Sequence, residues 1–478
     1  MDYVRLNATV DRRVFIRGLG ALSLGLLLGP FLGGCEGCLE TIKNRPIRRR
    51  LRTGSTEVDA DLATYSQAVS LMKALPASDP RSWTHQAGIH GTVAGGFNLC
   101  QHGTDHFFSW HRAYLFYFER ICQQLTGNND FGLPYWNWNQ NPDINPVFVN
   151  AASALFHARN NTSVAGFSAF ATSTLDTIFS DHNFFTFSSQ VEGTPHNTAH
   201  IIVGGDMASG GSALDPVFWT HHGMIDYCWA KWNIDFENDN TNDAVWNQTS
   251  WDHFVDQDGN PVTVTAGVTT LMPLLSYQYE SSAIGSAAAS LAARSKADFK
   301  KLEARIKKAA DIKFVVTHRV RIAEKARISI AQPFSQEAKA SPGEFSRLIN
   351  SDAATESIFA SIAYAQLPAT SDFYVRVFLN LPTATADTST DDAHYAGSFA
   401  FFGTHIESDT GHPHGPTFLV NLTPTLQKLK RNQALDDSSP LTVQLVAVPV
   451  MGQFEKRDTQ ILLEGIDLIV TPVIIKSK

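Results

Sequence analysis

The chain has 478 residues, 43% of them hydrophobic and 18% charged, and a net charge of -8. That length exceeds one ordinary core and points to two domains, while the mild, dispersed acidity offers no field for nucleic acid. Five cysteines at irregular spacing argue against a disulfide framework, so each thiol is judged separately.

Residues 1–34 read as a targeting segment outside the fold. Arg12, Arg13, Phe15 and Ile16 in "DRRVFIRG", followed by the apolar run "LGALSLGLLLGPFLGG", look like a twin-arginine export signal, which places the protein in the periplasm or cell envelope. The run ends in "LGGC", which resembles a lipoprotein cleavage box and would put a lipid anchor on Cys35; cleavage near Gly34, leaving Cys35 and Cys38 as a loop pair, is the alternative. A spanning helix is disfavoured because glycines interrupt the run and it barely reaches the roughly 18 apolar residues a span needs.

After the basic entry segment "IKNRPIRRRLRTG", residues 57–75 carry helical periodicity, with acids in the first turn and Lys73 in the last. From 105 to 125 the stripe Phe107, His111, Tyr114, Phe118, Cys122, Leu125 runs in steps of three and four, one face of a buried helix. Thr104 or Asp105 is its expected cap, and Gly127 its stop. A second buried helix starts at "DPVFWTHHGMIDYCWAKW", with Asp215 as N-cap, Pro216 at the first position and the stripe Phe218, His222, Ile225, Trp229, Trp232. Residues 286–312 are rich in Ala, Ser and Lys and read as an exposed linker. Beyond 313, "FYVRVFLNL", "GSFAFFGTHI", "PTFLVNL", "LTVQLVAVPV" and "DLIVTPVII" alternate with turn residues and predict a β-sandwich.

Eleven of the 17 histidines lie between His85 and His222, in the most apolar part of the chain. A single histidine on an apolar face is ordinarily a satisfied core residue; several together suggest a metal. His196 and His200 are four apart and share one helical face. His221 and His222 are adjacent and point apart, and the stripe selects His222. His102 and His111 are nine apart, about 180° around a continuous helix, so they converge only if the chain breaks at Gly103 and Thr104. His106 falls off the stripe and reads as outer or solvent-facing. His85 and His90 compete for the remaining place. Glu-x-x-His and His-Glu-x-x-His patterns are lacking, so di-iron and zinc-protease sites are disfavoured, and paired imidazole-only sites favour copper. Cys100, two residues before His102, could ligate or could restrain that ring.

These residues also match a known family. "HQAGIH", "CQH", "FFSWHRAYLFYFERI", "LPYWNW", "PHNTAH", "VGGDM" and "DPVFWTHHGMIDYCWAKW" together resemble the tyrosinase and polyphenol oxidase family of type 3 dicopper proteins, densely from about residue 45 to 280. "NRPIRRRL", "YVRVFLNL" and "YAGSFAFFGTH" extend the likeness to the plant-like form with a C-terminal shielding domain, and "SYQYE" (Tyr277, Tyr279) looks like its tyrosine motif. The resemblance implies a mainly α catalytic domain, residues 35–285, whose antiparallel four-helix bundle holds a dicopper site, followed by the linker 286–312 and a C-terminal β-sandwich shielding domain, residues 313–478.

It further implies two copper ions, one held by His90, His102 and His111 and the other by His196, His200 and His222, with O2 as co-substrate. Cys100 would form a thioether with His102, while Cys122 and Cys228 read as core packing. Glu192 and Asn197 match the pair that orients a water to deprotonate monophenols; capping of the short helix bearing His196 is the structural alternative for Glu192. Asp226, one turn after His222, either braces a ligand imidazole or bonds to neighbouring backbone. The implied activity is ortho-hydroxylation of small monophenols and oxidation of o-diphenols to o-quinones, latent until a protease or detergent displaces the shield. Phe401 and Phe402 are candidates both for the plug and for the sandwich core, and Arg294 to Lys308 is the candidate cleavage site. The alternatives are a catechol or o-aminophenol oxidase without monophenolase activity, and an O2 carrier resembling molluscan haemocyanin.

Overall fold

The computed structural model describes residues 45–280, 315–338, 355–365, 367–370, 372–403, 417–435 and 440–472. The export signal, Cys35, Cys38, and the linker with its candidate cleavage site lie outside the described residues. In chain order the helices that matter are α1 (Thr56–Ala74), α2 (Trp83–His90), α3 (Phe107–Thr126), α4 (Thr172–Phe179), α5 (Phe184–Val191), α6 (Asn197–Val203), α7 (Pro216–Ile234) and α8 (Thr423–Arg431). The strands that matter are β1 (Ile47–Arg48), β2 (Gln278–Tyr279), β3 (His318–Ala323), β4 (Ala326–Ser329), β5 (Phe334–Glu337), β6 (Glu356–Tyr364), β7 (Phe373–Leu379), β8 (Tyr395–Ala400), β9 (Thr417–Asn421), β10 (Thr442–Pro449) and β11 (Gln460–Pro472). They belong to two compact units, one drawn from Met1–Gln101, Asp105–Ser163 and Gly205–Ile312, the other from His102–Thr104, Val164–Gly204 and Lys313–Lys478.

The first unit is helical. Ser55 and Ser82 start α1 and α2 by accepting the N–H of Val58 and His85, and Asp215 starts α7 by accepting that of Val217 at 2.8 Å, with Pro216 in the first turn. Gly127 ends α3 in the left-handed conformation, φ 71°, where a side chain would be strained. The start of α3 departs from expectation. His106, not Thr104 or Asp105, is its N-cap, and no side chain caps it; the His106 ring instead stacks on Trp246 at 5.5 Å, and the Asp105 carbonyl accepts the Trp246 indole N–H. Aromatic stacking has displaced the local cap. Along the stripe of α3, Phe118 lies on Trp219 of α7, ring centroids 3.5 Å apart and 13° from parallel. β1 pairs with β2 in parallel, Ile47 opposite Gln278, and so joins the ends of this unit.

The second unit contains the expected sandwich. One sheet has the order β9-β6-β11-β3, with β4 also on β11; the other has β8-β7-β10-β5. Their inner faces alternate along each strand and bury Ile358, Ala360 and Ile362 of β6 with Phe373, Val375 and Val377 of β7 in one core. The helices α4 to α6 belong to this unit as well. The segment that carries them packs on the sandwich at Phe418, which a Cβ on Gly193 would meet at 3.2 Å, and through a hydrogen bond of 2.9 Å between the hydroxyls of Ser168 and Tyr395.

Candidate metal centre

The first unit brings three predicted histidines together. His90 ends α2, and its Nδ1 lies 3.2 Å from the Gly210 carbonyl. His111, in the second turn of α3, has its Nδ1 2.8 Å from the Phe107 carbonyl one turn back. His222 of α7 stacks on His111 at 4.4 Å and 11°, and His90 stands 6.0 Å from His111 and 6.4 Å from His222. None of the three is more than 2% exposed. A ring that donates its Nδ1 proton to a carbonyl presents the Nε2 lone pair at its other end, the arrangement a metal-binding imidazole requires. Burial pushes His90 down to about 4, so it is the neutral, ligating form at pH 7. His85 is exposed on α2, and His221 is buried with its ring 5.3 Å from that of His222, its Nδ1 taking the Trp138 indole N–H at 3.3 Å.

The second unit brings together His102, His196 and His200. Between α5 and α6 the chain widens into one π-helical turn, Glu192–His196, with Pro195 inside it. Proline cannot donate to a regular helical ladder and crowds the preceding turn, so the wider turn accommodates it. His196 and His200 follow at ring centroids 4.6 Å apart, and His102 stands 5.4 Å from His196. Asn197 places its Oδ1 2.8 Å from His196 Nδ1 and so orients that ring. Its amide nitrogen donates to the Ala400 carbonyl at 2.7 Å. Glu192 Oε1 accepts the N–H of Gly103 at 2.6 Å, which pins the residue next to His102 instead of capping the following helix.

The two phenylalanines take different places. Phe401 packs in the sandwich core, 5.1 Å from Phe418 and 4.9 Å from Tyr364. Phe402 lies flat on His200, 3.8 Å away and 9° from parallel, and 5.3 Å from His102. Gly403, φ 86°, follows so closely that a Cβ there would stand 2.5 Å from His102 Cβ. Periodicity could not separate neighbours at the end of a strand, and no signal in the sequence marked Ser398 or Ala400, whose contacts are made by backbone.

Asp226 neither braces an imidazole nor bonds to neighbouring backbone. Its carboxylate accepts from Arg112 Nε, from Arg48 Nη1 at 2.9 Å, and from the hydroxyls of Tyr277 and Tyr279 at 2.6 and 2.5 Å. Arg48 also binds Glu119 at 2.8 Å and lies over the Tyr277 ring at 3.6 Å. The basic entry segment and the "SYQYE" motif thus meet on one buried acid. Cys100 is fully buried, as are Cys122 and Cys228 among apolar neighbours, and burial raises the last two thiols.

Grouped, buried imidazoles with Nδ1 anchored at His90, His111 and His196 are a donor set suited to copper. The family described as the common central domain of tyrosinase matches residues 80–168 and 150–235, and a domain of unknown function matches 316–461. A tyrosinase of Hahella sp. (strain CCB-MM4) is 30% identical over 284 residues, 46% of this chain and 61% of that protein. The chloroplastic polyphenol oxidase A1 of Vicia faba is 25% identical over 294 residues, 50% of this chain and 48% of the relative. The chain thus spans about half the length of the curated relatives it matches. A latent aurone synthase (polyphenol oxidase) shares the fold at TM-score 0.64 and 21% identity, covering 91% of this chain and 90% of that one, as does latent apple tyrosinase at 0.58 and 19%, covering 89% and 97%. Residues 80–235 thus match the central domain of tyrosinase, and about half of the chain is similar to tyrosinases and polyphenol oxidases.

Proposed function

We propose that the protein is a phenol oxidase that uses two copper ions and O2 to ortho-hydroxylate monophenols and to oxidise o-diphenols to o-quinones. The observation that carries this is the fixed tautomer of the buried imidazoles: Nδ1 of His90, His111 and His196 is spent on carbonyl oxygens, which directs Nε2 to a metal. By the sequence resemblance, His90, His102 and His111 would hold one copper and His196, His200 and His222 the other, with a Cys100 to His102 thioether restraining the second ring. When bound, the copper pair supplies the activation of O2.

The chain's own residues do the rest. The carbonyl partners keep the rings from rotating, so the ligand geometry is set before metal arrives. By the sequence resemblance, Glu192 and Asn197, both buried, would hold a water whose oxygen takes the proton of an incoming phenol. Phe402 is stacked on His200, and a ring covering a proposed copper ligand supports latency until the shield moves. Export through the twin-arginine signal, a lipid anchor on Cys35 and an activating protease acting near Arg294 to Lys308 complete the proposal. Among the described residues no helix is long and apolar enough to cross a membrane.

The test is to load the full chain with copper, open it with detergent and follow O2 uptake with tyrosine and with a catechol. Uptake with both, at two coppers per chain, is expected. Uptake with catechol alone assigns a diphenol oxidase, and reversible O2 binding without turnover assigns a carrier.

A further inference from the structure

The segment that ends in Phe402 is held to the histidine-bearing helices through its backbone. β8 is the edge strand of its sheet, so alternate carbonyls along it face away from β7. Two of them, Ser398 O and Ala400 O, accept from Thr194 Oγ1 at 2.8 Å and from Asn197 Nδ2 at 2.7 Å. Two residues beyond Ala400 the Phe402 ring lies on His200. Phe399, between the two carbonyls, turns the other way and stacks on Phe418 at 4.4 Å. These two bonds read no side chain of β8. Any extended peptide offers the same pattern: carbonyls four and two residues ahead of an aromatic ring.

We propose that Thr194 and Asn197 form a subsite for the backbone of an extended peptide, and that the opened protein takes tyrosyl residues preceded by at least four others in preference to free phenols. In the closed chain residues 398–402 fill this subsite. This is strand addition, with main-chain carbonyls giving affinity and a pocket taking the final side chain. Asn197 keeps a second N–H for the water of the proposed mechanism, because a primary amide carries two. The reaction balances without an added reductant: the tyrosyl ring takes one oxygen atom of O2 and gives up four electrons, the other oxygen leaves as water, and the ring becomes an o-quinone. The chemistry rests on the proposed function; the peptide binding does not.

The probes are Ac-Gly-Ser-Phe-Ala-Phe-Tyr-NH2 and the same residues in reverse order, Ac-Tyr-Phe-Ala-Phe-Ser-Gly-NH2, each also in a fluorescently labelled form. With the full chain opened by sub-denaturing detergent and free of copper, anisotropy should show the forward peptide bound with a Kd at least about fivefold lower than the reversed one, as expected for two hydrogen bonds. With copper loaded, kcat/KM should favour the forward peptide to a similar degree, and Thr194→Val should cut that preference about threefold to tenfold. Equal Kd values for the two peptides overturn the proposal. A copper-loaded protein that oxidises neither tyrosine nor either peptide defeats the proposed function alone, since the anisotropy comparison still decides this one.

Discussion

Asp226 shows how much one buried side chain can carry. Burial alone would raise its carboxyl, but Arg112, Arg48 and the two tyrosine hydroxyls outweigh that and hold it below the ordinary carboxylate value. A depressed carboxylate contributes stability that is fully present above its unfolded pKa, about 4, and is lost as pH falls through the lower folded value. Asp226→Asn leaves two buried guanidinium groups facing a neutral amide, so urea unfolding at pH 7 should show a loss of about 3–5 kcal/mol. A loss under ~1 kcal/mol would mean that the network is dispensable. Phe402 gives a second test. Phe402→Ala removes a ring stacked on His200 and should raise the activity of the uncleaved, copper-loaded chain about threefold to tenfold, the worth of such a stack; Phe401→Ala, in the sandwich core, should lower stability instead.

Among elements, the turn from α5 to α6 determines where His196 and His200 sit. Asp181 precedes α5, accepting the N–H of Asn183 at 2.9 Å and the Gln190 amide at 2.7 Å, and burial lifts its carboxyl to about 6. Its folded pKa exceeds the unfolded value, so the native state holds the extra proton between about pH 4 and 6, and its contribution to stability falls as pH rises through that window. Asp181→Asn removes this titration. Unfolding of the copper-free protein should therefore show the variant gaining on the parent between pH 4 and pH 7, and a constant difference would refute the assignment. The end of β8 is equally constrained. Gly403→Ala adds a Cβ in a left-handed conformation against His102, so it should destabilise by about 1–3 kcal/mol and, under the proposed latency, raise the activity of the full chain; unchanged activity would count against Gly403 as part of the proposed shield.

Across the molecule, the segment Val164–Gly204 belongs with the C-terminal sheets, and backbone and side-chain contacts at Ser168, Thr194 and Asn197 tie it to β8. Cutting the linker near Arg294 to Lys308 should consequently leave the fragments together. Size-exclusion chromatography after limited proteolysis should give one peak until detergent is added, and spontaneous separation would show these contacts to be too weak for the proposed shielding.

The helical stripes through His111 and His222, the Asp215 cap and five of the nine described strands of the sandwich were legible in the chain, because each depends on neighbours three or four residues away on a helix or two on a strand. Other features lie beyond that reach. The hub at Asp226 joins residues 48, 112, 226, 277 and 279; Asn197 meets Ala400 across 203 positions; and Phe402 parts from Phe401 only where strand β8 ends. Such contacts are made when distant segments close on one another, and local periodicity holds no record of that closure.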